Sequence, residues 1–155
     1  MGSKLFFADK VVRFDKVHKM EGSLHLQAKI QDDNREKCLS LESPLSGNYQ
    51  LKNLKGVLLC LELLRKQGWK IQEKHIKQGV QKVIHNTSLH GRWEKIHNKP
   101  DVICDTGHNE AGVKEVLQLV KEANYAQLHL VWGMVADKDI QTILAMLPKE
   151  ARYYF

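Results

Sequence analysis

The stretch "DVICDTGHNEAGVKEVLQLVKEANYAQLHLVWG", residues 101–133, decides the fold because its hydrophobic pattern changes from strand to helix and back to strand. The opening apolar run is typical of a buried strand, the helical spacing after Glu110 predicts an amphipathic helix, and "AQLHLVWG" predicts a second strand. A further helix is predicted in "DKDIQTILAMLP" and a further strand in "ARYYF". This alternation predicts a parallel α/β sheet, whose ligands bind at the carboxyl ends of its strands.

The residues before this stretch follow a different pattern, with strands first and helices second. Short runs rich in β-branched and aromatic residues predict a strand meander from about Lys4 to Leu45. Two amphipathic helices are then predicted in "YQLKNLKGVLLCLELLRKQ" and "QEKHIKQGVQKVIHNT", the first of them stopped by Gly68. We expect two domains, residues 1–88 and 89–155.

Composition narrows the class of protein. With 155 residues, 43% of them hydrophobic, the chain can bury a core. The net charge of +6 favours anionic partners, but the lysines are scattered, so we expect no nucleic-acid binding. Since no apolar run approaches the roughly 18 residues of a membrane helix and no signal peptide is evident, we expect a cytoplasmic protein without membrane contact. The three cysteines lie in apolar runs, which predicts buried thiols.

The polar residues that follow "DVIC" have several interpretations. Asp105 is an acceptor-only group that could take a ribose hydroxyl. His108 stands where a helix begins, Asn109 can cap that helix, and the free N–H groups of its first turn would face an anion or a sugar hydroxyl bound at the sheet edge. Alternatively, Asp105 and Asn109 only cap the chain and His108 is a turn residue; the spacing does not separate these readings. A metal site needs three or four converging ligands, and this motif supplies two at best, so we expect no metal site.

Two residues elsewhere are candidates for nucleotide contacts. Arg92 follows a glycine and could bind phosphate oxygens with its guanidinium group, or it could be a surface arginine packed along Trp93. Asn53 lies in the first turns of a predicted helix, where its carboxamide could present a donor and an acceptor to an adenine edge. Polar residues at such positions are, however, more often helix caps.

Taken in order, "LSGNYQLKN", "GRWEKI", "DTGHNEAG" and "GMVADKD" resemble the successive motifs of the folylpolyglutamate synthase and dihydrofolate synthase family of the Mur ligase superfamily. The resemblance covers about Leu45 to Asp139. It implies an α/β fold in which the end of a Mur-ligase-type central ATPase domain, a strand meander plus two helices, is followed by a truncated Rossmann-like C-terminal domain.

The resemblance also implies a function: an ATP-dependent ligase that adds glutamate to folate or dihydropteroate through an acyl phosphate, with ATP and Mg²⁺ as cofactors. It implies that Asn53 faces adenine, that Arg92 contacts phosphate and is catalytic, and that Asp105 and His108 hold the ribose. A later loop of the family is matched by Gly133, Asp137, Lys138 and Asp139, with the role of the last three left open.

The sequence also departs from the family pattern. Tyr49 replaces a frequent histidine, Thr106-Gly107 replaces glycine-alanine, and Glu110 replaces proline and adds a negative charge. The chain contains no G-x-x-x-x-G-K-[ST] phosphate loop. We therefore expect a fragment that lacks the phosphate-loop part and the magnesium ligands and is inactive alone. Another Mur-type amino-acid ligase, and a nonenzymatic nucleotide-binding or interaction module, remain alternatives; the oligomeric state is not predicted.

Overall fold

The computed structural model of the chain describes residues 4–20, 22–32, 35–134 and 140–155. The chain divides into two compact units, Met1–Cys104 and Asp105–Phe155. The domain boundary between residues 88 and 89 stays a prediction.

The first unit contains a three-stranded antiparallel sheet. A short helix, α1 (Ala8–Val11), leads into strands β1 (Val12–Met20), β2 (Ser23–Asp32) and β3 (Arg35–Ser43), which lie in that order in the sheet. The predicted meander is confirmed, except that its first run, "KLFFAD", forms no strand and passes into α1.

One face of this sheet carries the core of the first unit. Burial alternates along β2, because successive side chains of a strand point to opposite faces. Helices α2 (Tyr49–Lys66) and α3 (Glu73–Gln81) contribute Leu58 and Ile76 to the same core. The other buried members come from the three strands: Val12, Leu24, Leu26, Ala28, Ile30, Leu39 and Leu41.

Helix α2 ends where the sequence predicted. Gly68 has a φ of 95°, and its N–H donates to the carbonyl oxygen of Arg65 at 2.9 Å. The N–H of Trp69 donates to the carbonyl oxygen of Leu64 at 3.1 Å. This is the paired bonding of a Schellman motif, in which a left-handed glycine satisfies the last helical carbonyls.

The second predicted helix is divided in two. Helix α3 ends at Gln81, Lys82 has φ −100° and ψ 17°, and α4 (Val83–Thr87) follows. The continuous helix predicted for this segment is therefore wrong, because apolar spacing continued through a local change in backbone angles at Lys82.

The strand predicted from "DVIC" differs from expectation. Strands β4 (Glu94–Asn98) and β5 (Asp101–Cys104) form an antiparallel hairpin, and all four residues of β5 are exposed. The prediction of a buried strand in a parallel sheet is therefore wrong for this element. A short apolar run does not by itself distinguish an exposed hairpin strand from a buried one, and the turn-forming Lys99–Pro100 link favours the hairpin.

The second unit retains the predicted alternation of helices and strands. It contains α5 (Glu110–Glu122), β6 (His129–Val131), α6 (Ile140–Met146) and β7 (Arg152–Tyr154). Strands β6 and β7 pair in parallel, which confirms the predicted α/β arrangement for this part of the chain. Among the described residues of this unit, the buried side chains are those of Val113, Leu119, Val120, Ile143 and Leu147.

The exposure of the three cysteines differs from the prediction. Cys38, Cys60 and Cys104 are all exposed, so the prediction of buried thiols is wrong: Cys38 stands on the sheet face opposite the core, and Cys104 ends the exposed strand β5.

Over the described ranges, the chain has no helix with the length and hydrophobicity needed to cross a membrane.

Candidate functional site

Asn53 lies on the wall of an open cavity in the first unit. The cavity has a volume of about 360 Å³ and is bordered by the ends of β2 and β3, by α2 and by the α3–α4 segment. Its lining is mostly apolar, with Leu54, Val57 and Ile76 among the side chains on its walls. This size and polarity are typical of small-ligand pockets, which combine apolar walls with a few placed polar groups.

A hydrogen bond orients the carboxamide of Asn53. Its Nδ2 donates to Oε1 of Gln50 at 3.0 Å, and Gln50, which lines the same cavity, is only 8% exposed. The bond uses one N–H of Asn53. The Oδ1 atom and the second N–H give the carboxamide a further acceptor and donor, the groups with which asparagine pairs with an adenine edge.

His75 was missed by the sequence reasoning, although it lines the same cavity. It lies in the first turn of α3, where its Nδ1 accepts a hydrogen bond from the backbone N–H of Gln72 at 3.2 Å. The signal in the sequence was the three-residue spacing of "QEKH" at a helix start, in which a side chain returns to the N-cap backbone.

Arg92 lies before β4 in a loop that several internal hydrogen bonds hold in place. The backbone N–H of Gly91 donates to Oε2 of Glu94 at 2.7 Å, and Oε1 of Glu94 lies 2.9 Å from Nδ1 of His90. The Gly91 hydrogen bond and then His90 lower the pKa of the Glu94 carboxyl. Arg92 is half-buried and its Nη1 donates to the carbonyl oxygen of Gly91 at 2.9 Å, so part of its guanidinium group is bound within the loop.

The loop after β5 has a defined hydrogen-bond pattern. Oδ1 of Asp105 accepts from the backbone N–H of Gly107 at 2.8 Å. Nδ1 of His108 lies 3.1 Å from the carbonyl oxygen of Thr106, which can only accept, so Nδ1 carries the proton and Nε2 of the neutral ring is an acceptor. The loop thus presents a carboxylate and an imidazole acceptor, both suited to hydroxyl groups.

Helix α5 begins directly after this loop. Oδ1 of Asn109 accepts from the N–H of Gly112 at 2.8 Å, which makes Asn109 its N-cap. The carboxylate of Glu110 lies 2.5 Å from Nζ of Lys114, one turn further along the helix. This pair offsets the negative charge that distinguishes Glu110 from the proline of the family pattern.

The two units contain different candidates. Asn53 and Arg92 belong to the first unit, but Arg92 is not among the residues that line the cavity of Asn53. Asp105 and His108 share one loop of the second unit, and Gly133 follows β6 there. Asp137, Lys138 and Asp139 lie outside the described residues. Within the described ranges no three His, Cys, Asp or Glu residues are grouped as metal ligands.

Known proteins of similar sequence include ligases and folate synthases. Residues 91–155 match the family model of the Mur ligase, glutamate ligase domain. Two curated relatives are the folylpolyglutamate synthase of Lacticaseibacillus casei, 28% identical over 70% of this chain, and a dihydrofolate synthase/folylpolyglutamate synthase of Buchnera aphidicola, 31% identical over 66% of it. Each match covers 24% of the relative, so the chain spans about a quarter of their length.

Solved structures show the same fold. An FPGS–AMPPCP–folate complex superimposes with a TM-score of 0.76 at 24% identity, covering 94% of this chain and 34% of that one. The folylpolyglutamate synthetase from Lactobacillus casei gives a TM-score of 0.71 at 21% identity, covering 95% of this chain and 35% of that one.

These matches confirm the α/β fold class. Residues 91–155 are similar to the glutamate ligase domain of Mur ligases, and the chain is similar to the folylpolyglutamate and dihydrofolate synthases that its four motifs indicated.

Proposed function

We propose that the whole protein containing this chain is an ATP-dependent amide ligase that joins glutamate to folate or dihydropteroate. The observation that carries the proposal is the Asn53–Gln50 carboxamide pair on the wall of an apolar cavity, in a chain whose relatives are synthases of this kind. An apolar cavity with one oriented donor–acceptor edge suits a planar heteroaromatic base such as adenine.

The reaction proceeds in two transfers. A carboxylate oxygen of the pterin substrate attacks the γ-phosphorus of ATP, ADP leaves with the electron pair of the broken P–O bond, and an acyl phosphate forms. The amino nitrogen of glutamate then attacks the acyl carbon, phosphate leaves, and the amide nitrogen loses a proton. Activation is needed because a carboxylate is a poor acceptor for an amine, whereas an acyl phosphate has a good leaving group.

Each candidate residue has a separate role in this proposal. Asn53 pairs with the adenine edge through Oδ1 and its remaining N–H. Arg92 is the catalytic residue, because a guanidinium group stabilises the charge on phosphate oxygens during transfer. Asp105 and His108 take ribose hydroxyls, each offering an acceptor that the hydrogen bonds of its loop orient.

The proposal also includes a metal cofactor, a second substrate and a cellular location. Mg²⁺ is a cofactor predicted from the family, and its ligands would belong to other segments of the whole protein. The predicted cytoplasmic location, the glutamate substrate, and the absence of nucleic-acid and membrane partners stay predictions.

A second candidate function is another Mur-type amino-acid ligase. It is favoured by the UDP-N-acetylmuramoyl-L-alanyl-D-glutamate–2,6-diaminopimelate ligase of Helicobacter pylori, which is 29% identical over 77% of this chain and is matched over 25% of its own length. The two candidates share ATP and the acyl phosphate and differ in the carboxylate and amine that they join.

One assay separates these functions. The whole protein is incubated with ATP, Mg²⁺, glutamate and either dihydropteroate or a reduced folate, and the products are identified by mass spectrometry. We expect ADP and a product heavier by one glutamyl residue, and neither from the 155-residue chain alone. Product with diaminopimelate and a muramoyl peptide, and none with glutamate and folates, would favour the second candidate; no ligation with either set contradicts both.

A further inference from the structure

His75 and Asn53 line the same cavity from different helices. Asn53 belongs to α2 and His75 to the first turn of α3. Both residues are exposed, and both line the cavity. Between them the lining is predominantly apolar. A ligand in this cavity therefore has polar groups to meet on two walls.

The tautomer of His75 follows from its hydrogen bond. The backbone N–H of Gln72 donates to Nδ1 at 3.2 Å, so Nδ1 supplies a lone pair and carries no proton. In the neutral imidazole the proton must then be on Nε2. His75 therefore offers a ligand an N–H donor, whereas His108, with its proton on Nδ1, offers an acceptor.

The polar groups of the two walls are of the kinds that pair with adenine. The amide of Asn53 supplies an acceptor and a donor, which suit an exocyclic amine and the ring nitrogen beside it. The Nε2–H of His75 suits a second ring nitrogen, which adenine has on another edge and which a pyrimidine nucleoside, with at most one unsubstituted ring nitrogen, lacks.

We propose that His75 is a specificity-determining residue of the nucleotide site, whose Nε2–H donates to a ring nitrogen of the purine that Asn53 pairs with. This rests on the proposed function, because it requires the base to occupy the cavity of Asn53. The ligand class is an adenine nucleoside or nucleotide.

Deaza analogues of adenosine test the proposal, since each replaces one ring nitrogen with C–H. Binding of adenosine, 1-deaza-, 3-deaza- and 7-deazaadenosine to the whole protein is measured by calorimetric titration, for the wild type and for His75→Ala. We expect two analogues to bind the wild type about threefold to tenfold more weakly than adenosine, the range for one hydrogen bond, because one lacks the ring nitrogen that pairs with Asn53 and the other lacks the one that pairs with His75. One of these two analogues, and not the other, should lose nothing further in His75→Ala.

A purely structural role of His75 predicts another result. If His75 only stabilises the start of α3, His75→Ala weakens all four ligands by the same factor, and this outcome overturns the proposal. His85→Ala, an exposed histidine in α4, is the matched control and should leave every affinity unchanged.

A third variant separates this proposal from the proposed function. If adenosine binding depends on Asn53, tested with Asn53→Ala, but not on His75, the nucleotide site stands and the role of His75 is overturned. If adenosine does not bind, or binds equally to Asn53→Ala, the proposed adenine site and the role of His75 both fail.

Discussion

Gly107 and Gly112 pack backbone against backbone at the start of α5. A Cβ atom on Gly107 would lie 3.2 Å from the carbonyl carbon of Gly112 and 3.3 Å from its oxygen. Such distances are tighter than ordinary contacts, and backbone atoms cannot move aside as the end of a flexible side chain can. Glycine at these positions therefore favours the close approach of this loop, which contains Asp105 and His108, to the start of α5.

Gly107→Ala is expected to destabilise the protein. The added methyl group would also lie 3.2 Å from Oδ1 of Asp105 and would disturb the Asp105–Gly107 hydrogen bond. We expect a loss of about 1–3 kcal/mol, the usual cost of overpacking, measured by urea unfolding. Gly56→Ala is the matched control, because a Cβ there meets no atom within 4 Å. Alanine at this position in α2 should raise the free energy of unfolding by about 0.5–1 kcal/mol. Equal stability of Gly107→Ala and the wild type would contradict the close packing.

Glu62→Gln tests an ionic connection between α2 and the sheet. The Glu62 carboxylate, 6% exposed, accepts from Nη1 of Arg65 at 2.5 Å and from Nζ of Lys37 at 3.1 Å. A neutral amide weakens both charge-assisted bonds, so we expect a loss of about 2 kcal/mol in the free energy of unfolding. Glu110→Gln removes an exposed pair with Lys114 and should cost no more than about 0.5 kcal/mol. If the two variants lose the same free energy, burial of Glu62 has no energetic consequence.

The Glu94 carboxyl should make stability depend on acidic pH. Its pKa is held below the ordinary value of 4.5 by the Gly91 N–H and by His90. A carboxyl with a lowered pKa in the folded state stabilises the protein above its unfolded pKa, and that contribution is lost as the pH falls through the folded value. As the pH falls from neutral through the lowered pKa of Glu94, the wild type should therefore lose more stability than Glu94→Gln. Thermal unfolding at a series of pH values measures this difference. Identical acid sensitivity of the two proteins would show that the carboxyl makes no such contribution.

Asn109→Ala should weaken the start of α5. The substitution removes the Asn109 bond to the N–H of Gly112, and loss of an N-cap costs about 1 kcal/mol. Hydrogen exchange should become faster in the first turn of α5, most clearly at Gly112, while the amides of α2 keep their protection. Asn109→Asp, which keeps an oxygen acceptor, should behave like the wild type. If the alanine variant exchanges at the wild-type rate, the cap does not stabilise the helix.

Local signals predicted much of the fold. The stop of α2 at Gly68 and the N-cap of α5 at Asn109 depend on side-chain and backbone chemistry within a few residues, which a sequence displays directly. The parallel pairing of β6 with β7 followed from the alternation of strand and helix periods. These features need no knowledge of distant contacts.

Other features depend on what surrounds an element, and there the sequence was insufficient. The apolar run of β5 does not reveal that its partner is β4 or that both of its faces are exposed. The same limit explains the exposed cysteines, since a thiol in an apolar run can stand on either face of a strand or helix. His75 was missed because its relation to Asn53 comes from the fold, in which residues of α2 and α3 line one cavity.

Titration of the whole protein with AMPPCP tests whether Asn53 contacts the adenine of ATP. Calorimetry would compare the wild type with Asn53→Ala and with Lys52→Ala, an exposed neighbour on α2 that does not line the cavity. Loss of a bidentate base contact worth roughly 1–3 kcal/mol predicts a dissociation constant raised by about tenfold or more in Asn53→Ala, and an unchanged one in Lys52→Ala. Equal affinity of Asn53→Ala and the wild type would contradict the claim that this chain holds the adenine of ATP.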